Sequence, residues 1–189
     1  MEKIFIIEHL EPRVWKWCIR EYKSISDIVG KKNLWFTNIK RGSKILEKYG
    51  KVFKKSVKEM NLKNMCVLDP AAKKTLSPKN SKEFEYFIFG GILGDYPPKK
   101  RTKKELTKFL PNAKEMNIGK KQFPTDNAVY VVKEISNGKN LSDLKFKNKI
   151  EIRKNNIESV ILPFNYVLID GKPLIRKEIV NYLKRKRGF

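Results

Sequence analysis

Apolar residues along this chain fall into short runs that stop at polar or glycine-rich ends. Lys3 to Ile7 is such a run, with Glu8, His9 and Glu11 directly after it. Leu34 to Phe36, Met65 to Leu68 and Tyr86 to Phe89 repeat the form, and Ala113 to Asn117 reads as a fifth. Near-continuous apolar runs of this length suit strands buried on both faces of a parallel sheet. Between the runs the period lengthens to that of a helix. Pro12 opens one to about Val29, with Val14, Cys18, Tyr22, Ile25, Ile28 and Val29 as its apolar stripe and Gly30 as its stop. Residues 42–60 are basic and helical in pattern, with breaks at Gly42 and Gly50. Lys99 to Lys104 leads into a helix expected to end near Leu110. Ala128, Val132 and Ile135 give a helical stripe to a segment that stops at Asn137-Gly138. Its three valines and Tyr130 favour a strand, but the stop comes a helix-length later, so a helix is expected. Asp126 in its first turn suits the helix dipole.

Strands and helices alternate through residue 138, which predicts an α/β fold with a mostly parallel sheet flanked by helices. Beyond that point the character changes. Ile150 to Arg153, Ser159 to Leu162 and Tyr166 to Ile169 read as short strands, and Asp170-Gly171 as a hairpin turn. A short basic helix ends the chain, with Lys184 to Arg187 as its terminal cluster. The expected division is a main α/β domain over 1–140 and a β-rich extension with a basic helix over 141–189.

Three strand ends concentrate the informative residues. Leu68-Asp69-Pro70-Ala71-Ala72 follows the third strand, and Phe89-Gly90-Gly91-Ile92-Leu93-Gly94-Asp95 follows the fourth. Asn117-Ile118-Gly119, with Gln122-Phe123-Pro124-Thr125-Asp126 after it, follows the fifth. Loops at the carboxyl ends of parallel strands line one crevice in open α/β sheets. The spacing Gly90-Gly91-x-x-Gly94 is not that of a phosphate-cradling loop, and no G-x-x-x-x-G-K-[ST] occurs.

Composition narrows the setting. In 189 residues, 43 Lys and Arg stand against 20 Asp and Glu, a net charge of +23. That imbalance points to nucleic acid or a ribonucleoprotein as surroundings. A lysine-rich proteome is the plainer explanation, but such a bias normally raises Glu along with Lys. Cys18 and Cys66 are the only cysteines and His9 the only histidine, which argues against zinc and histidine metal sites. Cys18 reads as core packing on its helix stripe. No apolar stretch reaches membrane-spanning length, and the expectation is a soluble, cytoplasmic protein.

The run Gly90-Gly91-Ile92-Leu93-Gly94-Asp95-Tyr96-Pro97-Pro98, with Arg101-Thr102 beyond it, resembles a family of SPOUT-class methyltransferases. So do Ile6 to Glu11, Leu68-Asp69-Pro70, Gln122 to Ala128 and Leu162 to Leu168. Eukaryotic members of that family methylate an arginine of a small-subunit ribosomal protein, and RNA has also been suggested as a substrate. The resemblance implies a deep trefoil knot in the parallel sheet, a feature no pattern argument would propose. It implies S-adenosyl-L-methionine (SAM) as cofactor, leaving as S-adenosyl-L-homocysteine (SAH). The cofactor would be bound around Leu68, Asp69 and Pro70; around Phe89, Gly90, Gly91, Ile92, Leu93 and Gly94; and around Asn117, Ile118, Gly119, Gln122, Phe123 and Thr125. Implied partners are a ribosomal protein, ribosomal RNA or both, and the working unit a monomer or a homodimer.

A guanidinium acceptor starts protonated, and a carboxylate is the natural group to orient it and take its proton. Asp95, Glu8 and Asp126 are the candidates, with Asp95 first because it adjoins the glycine loop. Each has a local alternative: Asp95 fixing a turn, Glu8 pairing with a surface lysine, Asp126 completing a helix start. Tyr96, Phe123 and Tyr166 are candidates to stack a base if the acceptor is RNA. An RNA methyltransferase, and a silent RNA-binding module, are the competing readings.

Overall fold

The computed structural model describes residues 2–185. Strand β1 (Ile4–His9) lies at the middle of a six-stranded sheet with β2 (Leu34–Thr37), β3 (Lys51–Val52), β4 (Met65–Leu68), β5 (Tyr86–Gly91) and β6 (Lys114–Met116). The order is β3-β2-β1-β5-β4-β6, and every pairing is parallel. The carboxyl ends of β4, β5 and β6 therefore sit side by side, which is what brings the three informative loops together.

Alternation along the strands splits the core into two faces. Phe5, Ile7, Phe36, Cys66, Phe87 and Phe89 face helices α1 (Lys16–Val29) and α5 (Thr125–Ser136). Ile6, Val67 and Ile88 face the other way, onto Val57, Leu106 and Leu110. The α1 stripe buries Cys18, Tyr22, Ile25 and Val29, as its spacing predicts, and Gly30 ends it at φ +82°. The Cys18 thiol is pushed up to about 12 by burial, so it is an inert packing group.

Several local expectations are corrected. The first helix begins at Lys16, not Pro12, because residues 11–15 are held as an irregular arm over the glycine loop. Residues 42–60 are not a helix. They form one turn, α2 (Ser43–Leu46), then the edge strand β3, then a 3₁₀ turn at Val57–Glu59 that buries Val57 beneath the sheet. Burial of Leu46 and Val57 decides this segment against its local periodicity. Residues 73–83 hold the short helix α3 (Pro78–Ser81), whose capping box pairs Ser77 with Asn80. The basic helix after Lys99 is only α4 (Arg101–Glu105), followed by a 3₁₀ turn at Thr107–Phe109. It breaks at Leu106, which is buried.

The three short C-terminal strands expected from the sequence fall at Ile150–Arg153, Ser159–Leu162 and Tyr166–Ile169. Here β7 (Phe146–Lys147) pairs with β10 (Tyr166–Ile169), β8 (Ile150–Arg153) with β9 (Ser159–Leu162), and β10 turns at Asp170-Gly171 into β11 (Lys172–Pro173). A third cluster packs β8, β9 and Tyr166 against α6 (Lys177–Arg185) and Trp17. Asn127 of α5 ties this part to the main core: its Oδ1 accepts from Val167 N–H, and its amide donates to the Leu174 carbonyl. Lys184 and Arg185 of the terminal basic cluster are exposed, whereas Lys186 and Arg187 lie outside the described residues.

Candidate active site

The loops after β4, β5 and β6 line one cleft. Leu68, Phe89, Ile92, Ile118, Phe123 and Ala128 supply apolar walls, and Asp69, Asp95, Thr102, Gln122 and Thr125 add polar groups. Lys99, Lys100, Arg101, Lys120 and Lys121 also line it and make it strongly basic.

Each loop is fixed by side chains whose hydrogen-bonding capacity is used inside the fold. Asp69 is buried; its Oδ1 accepts from Ala71 N–H at 2.8 Å and its Oδ2 from the Thr107 hydroxyl at 2.7 Å. Asn117 stitches two loops together. Its amide donates to the carbonyls of Ala72 and Lys74, and its Oδ1 accepts from Gly119 N–H and the Thr75 hydroxyl. Gly119 sits at φ +104° with open space where a Cβ would project, so the cleft is unobstructed there.

The glycine loop is held from outside its own sequence. Leu93 N–H donates to Glu11 Oε1 at 3.0 Å, and Arg101 Nη1 reaches the same oxygen at 2.8 Å. Arg101 also pairs with Glu105 at 2.7 Å, and these carboxylates raise the already high guanidinium pKa. A Cβ on Gly91 would lie 2.4 Å from Tyr22 Oη, and one on Gly94 would lie 2.7 Å from the Phe164 ring. These two glycines are required by close approach: the first to the α1 side of the sheet, the second to the turn before β10. Tyr22 Oη is in turn hydrogen-bonded to His9 Nδ1 at 2.8 Å, and burial lowers the pKa of His9.

The three carboxylates expected as bases are not brought together. Asp95 lines the cleft, partly exposed, with Lys99 Nζ 3.1 Å from its Oδ1. Glu8 is outside the cleft and 0% exposed. Its oxygens accept from Thr37 Oγ1 and Ser56 Oγ, each at 2.5 Å, and from Val57 N–H at 2.9 Å. Asp126 is 2% exposed behind the cleft wall, with its Oδ1 bonded to Asn127. Of the residues expected to bind cofactor, Gly91, Leu93 and Gly94 shape the loop from behind rather than line the cleft, and the remainder line it. Tyr96 is 75% exposed and Phe123 lies in the wall, but Tyr166 is buried in the third core cluster and is not available to stack a base.

Three residues that fix the site carry little local signal in the sequence: Glu11 and Arg101, which stand there only as parts of motifs, and Glu21. Glu21 is a buried acidic residue beside the apolar stripe of α1, three positions after Cys18 and four before Ile25, and that spacing is the available signal. Its Oε1 accepts from Thr125 N–H at 2.8 Å. Burial first, then the charge of Asp126, pushes the Glu21 carboxyl up to about 8. Burial raises Asp126 as well.

The sequence description "protein arginine N-methyltransferase SFM1-like" fits residues 4–188 of this chain. The chain belongs to that family. Protein arginine N-methyltransferase SFM1 of Saccharomyces cerevisiae is 34% identical over 201 residues, covering 96% of this chain and 94% of the yeast protein. A crystal structure of yeast SFM1 complexed with SAM superposes with a TM-score of 0.89 at 35% identity, covering 98% of this chain and 91% of that one. A Trm10 structure from Thermococcus kodakaraensis shares the fold at a TM-score of 0.57 and 21% identity, covering 75% and 96%. The SFM1-like chain thus has the SPOUT-class fold expected from its glycine run. Its matched segment, 4–188, takes in the β-rich C-terminal part as well as the parallel sheet.

Proposed function

We propose that this protein is a SAM-dependent methyltransferase whose acceptor is an arginine side chain, on a small-subunit ribosomal protein. The observation that carries the reading is the convergence of three strand-end loops on one apolar cleft, in a chain of the SFM1-like family. The residues present fit the cofactor. Leu68, Phe89, Ile92 and Ile118 offer apolar walls to an adenosine, and the open space at Gly119 leaves room beside them. Gln122 Oε1 is a buried acceptor with no partner among the described residues, and it belongs to a cleft-lining side chain. When bound, SAM supplies an electrophilic methyl group on a sulfonium.

The chain's own residues then have three tasks. The Glu11–Arg101 pair holds the glycine loop, so the donor pocket is formed before substrate arrives. Asp95 orients the acceptor guanidinium and takes up its proton at a carboxylate oxygen, leaving a nitrogen lone pair for attack. Lys99 must release that carboxylate, and an incoming guanidinium is the stronger competitor because it binds a carboxylate bidentately. Glu8, with three donors already on its oxygens, fixes the end of β1 and is not part of the proton path. Asp126, buried behind the wall with its Oδ1 on Asn127, does not touch the acceptor.

The same reading includes a trefoil knot threading the cleft loops, and a division into a main unit over 1–140 and an extension over 141–189. It places the protein in the cytoplasm, as a monomer or homodimer beside ribosomal RNA. No helix among the described residues is long and apolar enough to cross a membrane. The test is transfer of tritiated methyl from SAM into ribosomal fractions, split by protease and by nuclease. Label lost with protease and recovered as methylarginine supports the reading. Label lost with nuclease replaces it with RNA methylation, and no label with either removes catalysis.

A further inference from the structure

A second cavity lies away from the cleft, between α1 and α6. Lys16, Arg20 and Lys23 of α1 line one side of it, and Asn181, Tyr182 and Arg185 of α6 line the other. The α1 residues stand at i, i+4 and i+7, one face of the helix, so their charges rise along the groove by about 6 Å and about 10 Å. Charge is distributed unevenly along it. At one end Lys23 pairs with Glu178 at 3.1 Å, and Arg176 pairs with Glu178 and Asp27, so the charges close on each other. At the other end Lys16, Arg20 and Arg185 have no acidic partner among the described residues.

Arg20 is already ordered. Its Nη1 donates to the Lys16 carbonyl at 2.8 Å, and its guanidinium lies 4.6 Å over the Tyr182 ring. Tyr182 is braced in turn by Trp17, edge-on at 6.5 Å. A planar guanidinium held against a ring keeps its other N–H groups free for a phosphate, and little side-chain entropy remains to be lost. Ile19 is the one aliphatic side chain among the residues that line the groove, too few to form the row of apolar pockets that anchors a peptide. A row of like charge without such pockets matches a uniform polyanion.

We propose that the α1–α6 groove binds the sugar–phosphate backbone of RNA through Lys16, Arg20 and Arg185, and so holds the protein on a ribonucleoprotein while the separate cleft works on a protein side chain. The choice of RNA as the polyanion rests on the ribosomal reading above; the groove itself does not depend on the cleft.

The test is fluorescence anisotropy of a labelled RNA hairpin across a salt series, with the full-length protein. Each phosphate contact contributes about 0.7–0.9 to the slope of log affinity against log salt. The Lys16→Ala/Arg20→Ala/Arg185→Ala variant should lose about 2–3 from that slope and bind roughly 100-fold more weakly at 0.1 M salt. Because Arg20 packs on Tyr182, the exposed pair Lys16→Glu/Arg185→Glu is measured beside it and should weaken binding without altering the melting temperature. Donor binding by calorimetry and methyl transfer to isolated acceptor protein should be unchanged in both variants. If the cleft reading fails, those controls are silent in wild type while the RNA titration still reports on the groove. Full slope retained in both variants, with loss instead in Lys99→Ala/Lys100→Ala/Lys121→Ala, moves the RNA to the cleft and overturns the proposal. Binding of polyglutamate with none of RNA at 50 mM salt overturns it too, in favour of an acidic protein partner.

Discussion

Glu21→Gln perturbs the one buried pair of carboxyls in the described structure that has no cation beside it. Glu21 is 6% exposed and its Oε1 accepts the Thr125 N–H, a bond that a glutamine carbonyl reproduces. In the folded protein, burial and the neighbouring Asp126 hold a proton on Glu21 up to about pH 8. In the unfolded chain the same carboxyl titrates near its ordinary value of 4.5. The folded state therefore binds more protons than the unfolded one across that interval, and stability falls as pH rises, by up to about 1.4 kcal/mol per pH unit for one proton. His9 acts in the opposite sense. Its lowered pKa means that it adds stability as pH rises toward 6.5, so the clean window lies above that value. Between pH 6.5 and 8 the wild type should lose roughly 1–2 kcal/mol from Glu21 alone. Urea unfolding at half-unit pH intervals measures it. The Gln variant should fold at pH 6.5, lose less than half as much over the window, and be the more stable protein at pH 8. Parallel stability profiles for the two proteins would show that no extra proton is held there and would refute the reasoning.

Other expectations follow from single contacts. Gly91→Ala places a methyl 2.4 Å from Tyr22 Oη and should destabilise the fold by about 1–3 kcal/mol in urea; an unchanged midpoint would mean that β5 and α1 are not packed this closely. Asp95→Asn should bind SAH within about twofold of wild type and lose turnover by 100-fold or more, and surviving turnover strikes Asp95 from the proton path. Glu11→Gln removes the charge shared by Leu93 N–H and Arg101 and should weaken SAH binding about tenfold by calorimetry. Equal affinity would release Glu11 from its positioning role.

What could be seen from sequence was what depends on strong local pattern. The apolar strand runs, the α1 stripe ending at Gly30 and the short C-terminal strands fall close to their expected places. The short segments were decided elsewhere. Residues 42–60 follow the burial of Leu46 and Val57, and the helix after Lys99 stops where Leu106 turns inward; no local period records either event. The site divides in the same way. The three loops were visible because each ends a strand, but the partners that fix them are remote. Glu8 bonds to Ser56, Leu93 to Glu11 and Thr125 to Glu21, across separations of 48, 82 and 104 residues. At those separations no local pattern shows that the Glu8 carboxylate is already occupied or that Glu21 holds the cleft wall.

Calorimetric titration of the purified protein with SAH tests most directly whether the cleft is a donor pocket. One saturable site is predicted, with no heat from ATP under the same conditions. Absence of any SAH signal, with ATP binding in its place, would contradict it.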